Sequence, residues 1–158
     1  MNNPAEEIIN IMREKKLTLG TVESATGGLI ANLITNIPGS SDVFQGSVVS
    51  YSNGIKMKLV GVKEATLEKY GAVSAQVAAE MAAGGRKSLG VDICVADTGI
   101  AGPGGAAPGK PVGLFYLGLS HKEGTISRKH VFSGTREENK QQAAQTALLL
   151  VRDYLKGK

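Results

Sequence analysis

The sequence predicts a single three-layer αβα sandwich, residues 1–158, around a sheet that mixes parallel and antiparallel strands. Three observations predict it. Helical periodicity frames both ends of the chain, apolar segments of strand length lie between the helices, and two late strands follow each other across a short glycine turn.

The elements follow in order. Asn3 and Glu6 form a capping-box pattern ahead of a first helix whose Ile8, Ile9 and Met12 share one face. Leu17 to Val22 reads as a short buried strand, and Leu29, Ile30, Leu33, Ile34 and Ile37 recur at helical spacing. The strand hands over to this helix through Glu23, Ser24, Ala25, Thr26, Gly27 and Gly28, with Thr26 as the expected N-cap. Uncapped first-turn amides at such a junction suit an anion or a developing oxyanion. Phe44 to Ser50 reads as a strand, and Lys56 to Val60 and Ala65 to Tyr70 as short helices. Ser74 to Leu89 is a longer, Ala-rich helix closed by Gly90. Val91 to Ala96 is apolar throughout, as in a central strand covered on both faces, and runs into Asp97, Thr98 and Gly99. Pro111 to Leu119 and Thr125 to Phe132 form the hairpin. A Thr135/Glu138 capping box then opens a helix with Ala144, Leu148, Val151 and Leu155 on its buried face.

Composition narrows the function classes. A chain of 158 residues buries roughly 70% of its unfolded surface. With 42% hydrophobic and 20% charged residues it is globular, and the net charge of +4 is scattered, without the basic run of a nucleic-acid footprint. A small anionic ligand suits it equally well. The single Cys94 excludes an internal disulfide and lies in an apolar strand, as an inert thiol does. Neither a signal peptide nor a membrane-length apolar run is present, so a cytoplasmic location without membrane partners is expected.

Some motifs fail on context. Gly104, Gly109 and Lys110 have phosphate-loop spacing, but Pro111 follows and leads into a strand instead of a helix. Gly102, Gly104 and Ala107 only echo a dinucleotide fingerprint. His121 and His130 fall in the hairpin without ligand-spaced partners, which argues against a zinc site or a histidine-based triad. No metal and no cofactor is expected.

What remains is a series of blocks: Glu23 to Gly28; Gly39, Ser40, Ser41; Tyr51, Ser52, Asn53 with Lys56; Gly71 to Ser74; Gly99 to Pro103; Lys110 to Gly113; and Phe132, Gly134 and Arg136. In this order, over nearly the whole chain, they closely resemble the CinA C-terminal domain family. The resemblance implies nicotinamide mononucleotide deamidase activity, which hydrolyses the carboxamide to nicotinic acid mononucleotide and ammonia. It implies Ser24 as nucleophile, Lys56 as its general base and Tyr51 close enough to orient or share protons. A lysine serves as base when burial or another cation keeps it neutral. Ala25, Thr26, Gly27 and Gly28 are the expected oxyanion side. Thr98 and Gly99 are expected to bind substrate at a strand end, Ser41 is a further candidate, and Arg136 is the expected phosphate ligand. Ala25 stands where many relatives carry Cys, and Lys140 where a second arginine is common. The family also leaves open a catalytically weak nucleotide-binding or regulatory module, and the chain resembles its stand-alone form. The Ala- and Gly-rich helix and the apolar hairpin offer a flat packing face, from which a homodimer is expected.

Overall fold

The computed structural model describes residues 2–158. Its elements run α1 (Pro4–Lys15), β1 (Leu19–Glu23), α2 (Leu29–Thr35), a 3-10 turn (Ser40–Asp42), β2 (Phe44–Val49), α3 (Asn53–Val60), α4 (Glu64–Tyr70), α5 (Ala75–Leu89), β3 (Ile93–Gly99), β4 (Leu114–His121), β5 (Gly124–Val131) and α6 (Arg136–Leu155). One five-stranded sheet has the order β2-β1-β3-β4-β5. The first three strands are parallel, and β4 and β5 run antiparallel to β3 and to each other. This is the predicted mixed sheet in a three-layer sandwich.

The period-2 pattern of the strands assigns the layers. On β3, Ile93 and Val95 join Leu19, Leu117 and Leu119 beneath α1, α2 and α6, where Ile8, Met12, Ile30, Ile34, Leu148 and Val151 cover them. The intervening Cys94 and Ala96 join Val22 beneath α5, against Val77, Met81 and Ala82. A third, smaller cluster of Ala25, Ala101, Phe115 and Ala143 lies under the ends of β1 and β3, with Phe132 packed edge-on to Phe115 at 5.7 Å.

Several small residues of α5 pack inside the chain, while Ala83 stays exposed. A Cβ on Gly85 would stand 2.2 Å from Val22 Cγ2, and one on Gly118 of β4 would stand 2.2 Å from the Ala78 carbonyl oxygen. On Gly84 it would strike the Val60 carbonyl at 1.6 Å. The helix therefore sits in close backbone contact with its own sheet and with α3. Gly84 and Gly85 are thus taken up by packing within the chain.

Several boundaries differ from expectation for local reasons. β1 begins at Leu19 because the Leu17 N–H closes α1 onto Met12 and the Thr18 N–H is taken by Asp92 Oδ2 at 2.8 Å. β4 begins at Leu114 because Pro111 brings no N–H and Gly113 turns the chain with φ 90° against the Phe132 carbonyl. α3 begins at Asn53, capped by Ser52, whose Oγ accepts the Ile55 N–H. α2 is not capped by Thr26; its N-cap is Gly28, at φ 104°.

Candidate active site

The parallel strands β1, β2 and β3 deliver their C-terminal ends to one edge of the sheet, where α/β proteins gather ligands. Ser24 and Ala25 follow β1, Tyr51 and Lys56 follow β2, and Thr98 to Gly102 end β3. They line a cleft of about 250 Å³ together with Asn53, Ala72, Val73, Gly104, Gly105 and Arg136. A larger hollow of about 640 Å³ opens at the opposite end, between Lys15, Arg86, Lys122 and Tyr154. Among the described residues it holds no nucleophile paired with a base, so the smaller cleft is the candidate site.

Ser24 Oγ lies 2.9 Å from Lys56 Nζ, and both side chains are buried, Lys56 to 1% exposure. The amine also donates to the Ser50 carbonyl at 2.8 Å and to the Tyr51 carbonyl at 3.0 Å. An ammonium at Lys56 donates to all three groups, whereas a neutral amine that donates to the two carbonyls turns its lone pair to the serine hydroxyl. Burial pushes the Lys56 pKa down, against an opposing pull from Asp97. Lys56 also stands in the first turn of α3, where the positive helix end disfavours an ammonium. The arrangement places a buried amine in hydrogen-bond contact with a serine hydroxyl, as nucleophile–base pairs require.

Two buried carboxylates hold the turn that carries Ser24. Glu23 collects the N–H groups of Gly28, Ile30 and Ala31 at 3.1, 2.8 and 2.9 Å, so an internal acid occupies the positive end of α2 that the sequence left open for a ligand. Asp97 accepts the N–H of Ser24 at 3.1 Å and of Thr26 at 3.2 Å, and the Thr26 hydroxyl touches both acids. Gly27 N–H closes on the Ser24 carbonyl. The Ala25 N–H alone in this turn has no partner among the described residues. It follows the nucleophile directly, the position from which an oxyanion is met.

The structure thus divides the predicted residues. Ser24, Ala25, Lys56, Tyr51, Thr98, Gly99 and Arg136 share one cleft. Thr98 lends its hydroxyl to the Ala72 carbonyl at 2.8 Å and so serves as a wall joining β3 to the segment before α5. Gly99 is required by the Phe115 ring, which a Cβ there would meet at 2.3 Å. Tyr51 contributes its carbonyl to Lys56, while its ring is 64% exposed and its hydroxyl accepts from Arg136 at 3.4 Å. The Arg136 fork is anchored on the Gly102 carbonyl at 2.8 Å. Gly27 and Gly28, with Thr26, line a different hollow, shared with Asn32, Glu137 and Lys140. Lys140 therefore faces the back of the turn. Ser41 is exposed in the 3-10 turn ahead of β2, at the far end of the sheet. Sequence reasoning assigned no role to Glu23 or Asp97; the available signal was an acid placed directly after each buried strand sequence.

Fold and site together define a three-layer α/β protein with a lysine-paired serine at the ends of its parallel strands. The model of the CinA C-terminal domain matches residues 1–155, and the chain belongs to that family. It is 50% identical over 141 residues to a putative competence-damage inducible protein of Moorella thermoacetica, which covers 89% of this chain and 34% of that protein. It is 48% identical over 152 residues to a CinA-like protein of Leptospira borgpetersenii, covering 96% of this chain and 36% of the relative. The chain thus spans about a third of the length of these curated relatives. The solved structure of the competence/damage inducible protein CihA from Agrobacterium tumefaciens superposes with a TM-score of 0.90 at 36% identity, covering 96% of this chain and 94% of that one.

Proposed function

We propose that the cleft is the active site of an amidohydrolase that removes ammonia from the carboxamide of nicotinamide mononucleotide. The observation that carries the reaction class is the buried Lys56 amine, held by two carbonyls 2.9 Å from Ser24 Oγ. The substrate comes from the family resemblance. Lys56 takes the Ser24 proton as Oγ attacks the carboxamide carbon, and the Ala25 N–H meets the developing oxyanion. Collapse expels ammonia with the proton held by Lys56 and leaves a Ser24 ester. Lys56 then activates water, which releases the carboxylate and frees Ser24.

The dimensions suit this reading. A cleft of about 250 Å³ is at the small end for ligand cavities, typically ~300 Å³ or more, so it fits the reacting ring end of a nucleotide. The phosphate would lie at the rim, where the exposed Arg136 guanidinium stands preset by the Gly102 carbonyl. The homodimer is part of the same proposal; Ile55, Met57 and Leu59 of α3 are exposed apolar side chains available to it.

A substrate panel with ammonia readout tests the reading: nicotinamide mononucleotide, its riboside, free nicotinamide and the dinucleotide, each with chelator present. Release from the mononucleotide above the others is expected. Tight binding of the mononucleotide without ammonia would replace the proposal with a nucleotide-binding module.

A further inference from the structure

Asp97 is wholly buried at the end of the central strand and has no place in the reaction just described. Its two oxygens accept the N–H groups of Ser24 and Thr26, so it grips the backbone on both sides of Ala25. The Thr26 hydroxyl lies 2.8 Å from Glu23 Oε1 and in closer contact still with Asp97 Oδ1. A hydroxyl has one proton and cannot donate to two carboxylates. Glu23 has the richer donor set, three backbone N–H groups and a hydroxyl of the Thr21–Ser47 pair against two N–H groups at Asp97, and the Thr26 proton completes it. With Thr26 donating to Glu23, the contact between Thr26 and Asp97 needs a proton on Asp97.

We propose that Glu23, Thr26 and Asp97 form a chain holding one extra proton, that Asp97 carries it, and that this neutral acid positions the Ser24 turn beside Lys56. The ionised chain has two oxygen contacts and one proton; the singly protonated chain has a proton for each. The charged groups facing Asp97 are Glu23 from β1 and Lys56 from α3, while its partner on β4 is Leu117. Burial, aided by the Glu23 charge, pushes the acid up to about 6 even against a Thr26 hydroxyl turned toward it and the N–H donors of Ser24 and Thr26. Below about pH 6 the neutral Asp97 gives Lys56 no counter-charge, and above it the ionised acid pulls the Lys56 pKa up. Asp97 is thus a positioning residue, and its effect on catalysis rests on the amidohydrolase reading above; the proton itself does not.

Carbon-13 NMR of protein labelled at its aspartate carboxyls is the test. The chain has four aspartates, Asp42, Asp92, Asp97 and Asp153, and the Asp97 signal is the one lost in Asp97→Asn. It is expected to titrate near pH 6, apart from the others. Thr26→Val is expected to lower that titration by on the order of one pH unit, because the protonated acid loses its acceptor, and Thr26→Ser to restore it. A threonine that merely donated to an ionised Asp97 would give the opposite shift on removal. The proposal is overturned by an upward or absent shift in Thr26→Val, or by a wild-type Asp97 that titrates in the ordinary range near ~3.9. The wild-type titration decides alone should the variant fail to fold. No substrate enters the experiment, so its outcome is separate from whether the mononucleotide is hydrolysed.

Discussion

At the scale of residues, the candidate site is a buried lysine paired with a serine. Two carbonyls hold the Lys56 amine 2.9 Å from Ser24 Oγ, and burial lowers its pKa. Lys56→Met should lower kcat by roughly 10³-fold or more with little change in KM, since the amine acts on the proton and not on ground-state binding. Equal changes in both constants would point to a binding role. The pH profile of kcat/KM should rise as Lys56 deprotonates, with its acid limb below the ordinary lysine value of ~10.4. Ser24, Tyr51 and Lys56 were legible because their blocks have a family pattern. Glu23 and Asp97 were not, since an acid at a polar strand end reads as solvated until the fold covers it. The same blindness assigned the α2 amides to a ligand when Glu23 already held them, and placed Gly27 and Gly28 in a cleft they back away from.

At the scale of elements, the C-terminal ends of three parallel strands make the cleft, and close packing of α5 holds them in register. The Ala- and Gly-rich sequence of α5 was readable as close packing, but not what it packs against. Its partner is β4, where Gly118 faces the Ala78 carbonyl. Gly118→Ala is therefore expected to cost about 1–3 kcal/mol in urea denaturation, because the clash is with backbone and cannot be relieved by a rotamer change. Gly104→Ala, where a Cβ would meet nothing within 4 Å, serves as the neutral control. The starts of β1, β3 and β4 were placed two or three residues early, whereas β2 begins at Phe44 as expected. Tertiary partners such as Asp92 for Thr18, and the Gly113 turn, decide where pairing begins.

At the scale of the whole molecule, the parallel half of the sheet carries the candidate cleft and the antiparallel hairpin completes the sheet, as the sequence order of helices and strands indicated. No helix among the described residues is long and apolar enough to cross a membrane. The buried acid gives the whole fold a pH dependence of known sign. Asp97 is raised from 3.8 to about 6 in the folded state, so the folded protein binds more protons than the unfolded chain between these values. Its contribution is complete below about 3.8 and is lost as pH rises through about 6, roughly 3 kcal/mol in all. Unfolding free energies measured across that window should fall more steeply with pH in the wild type than in Asp97→Asn, whatever the constant offset between them. Parallel slopes would mean that Asp97 ionises normally.

The central claim is that Ser24, activated by Lys56, attacks the substrate. The most direct measurement is the rate of ammonia release from nicotinamide mononucleotide by the wild type and by Ser24→Ala at the same protein concentration, with folding of both checked by circular dichroism. The account predicts release by the wild type and a loss of about 10³-fold or more in the variant. Release by Ser24→Ala at the wild-type rate would contradict it.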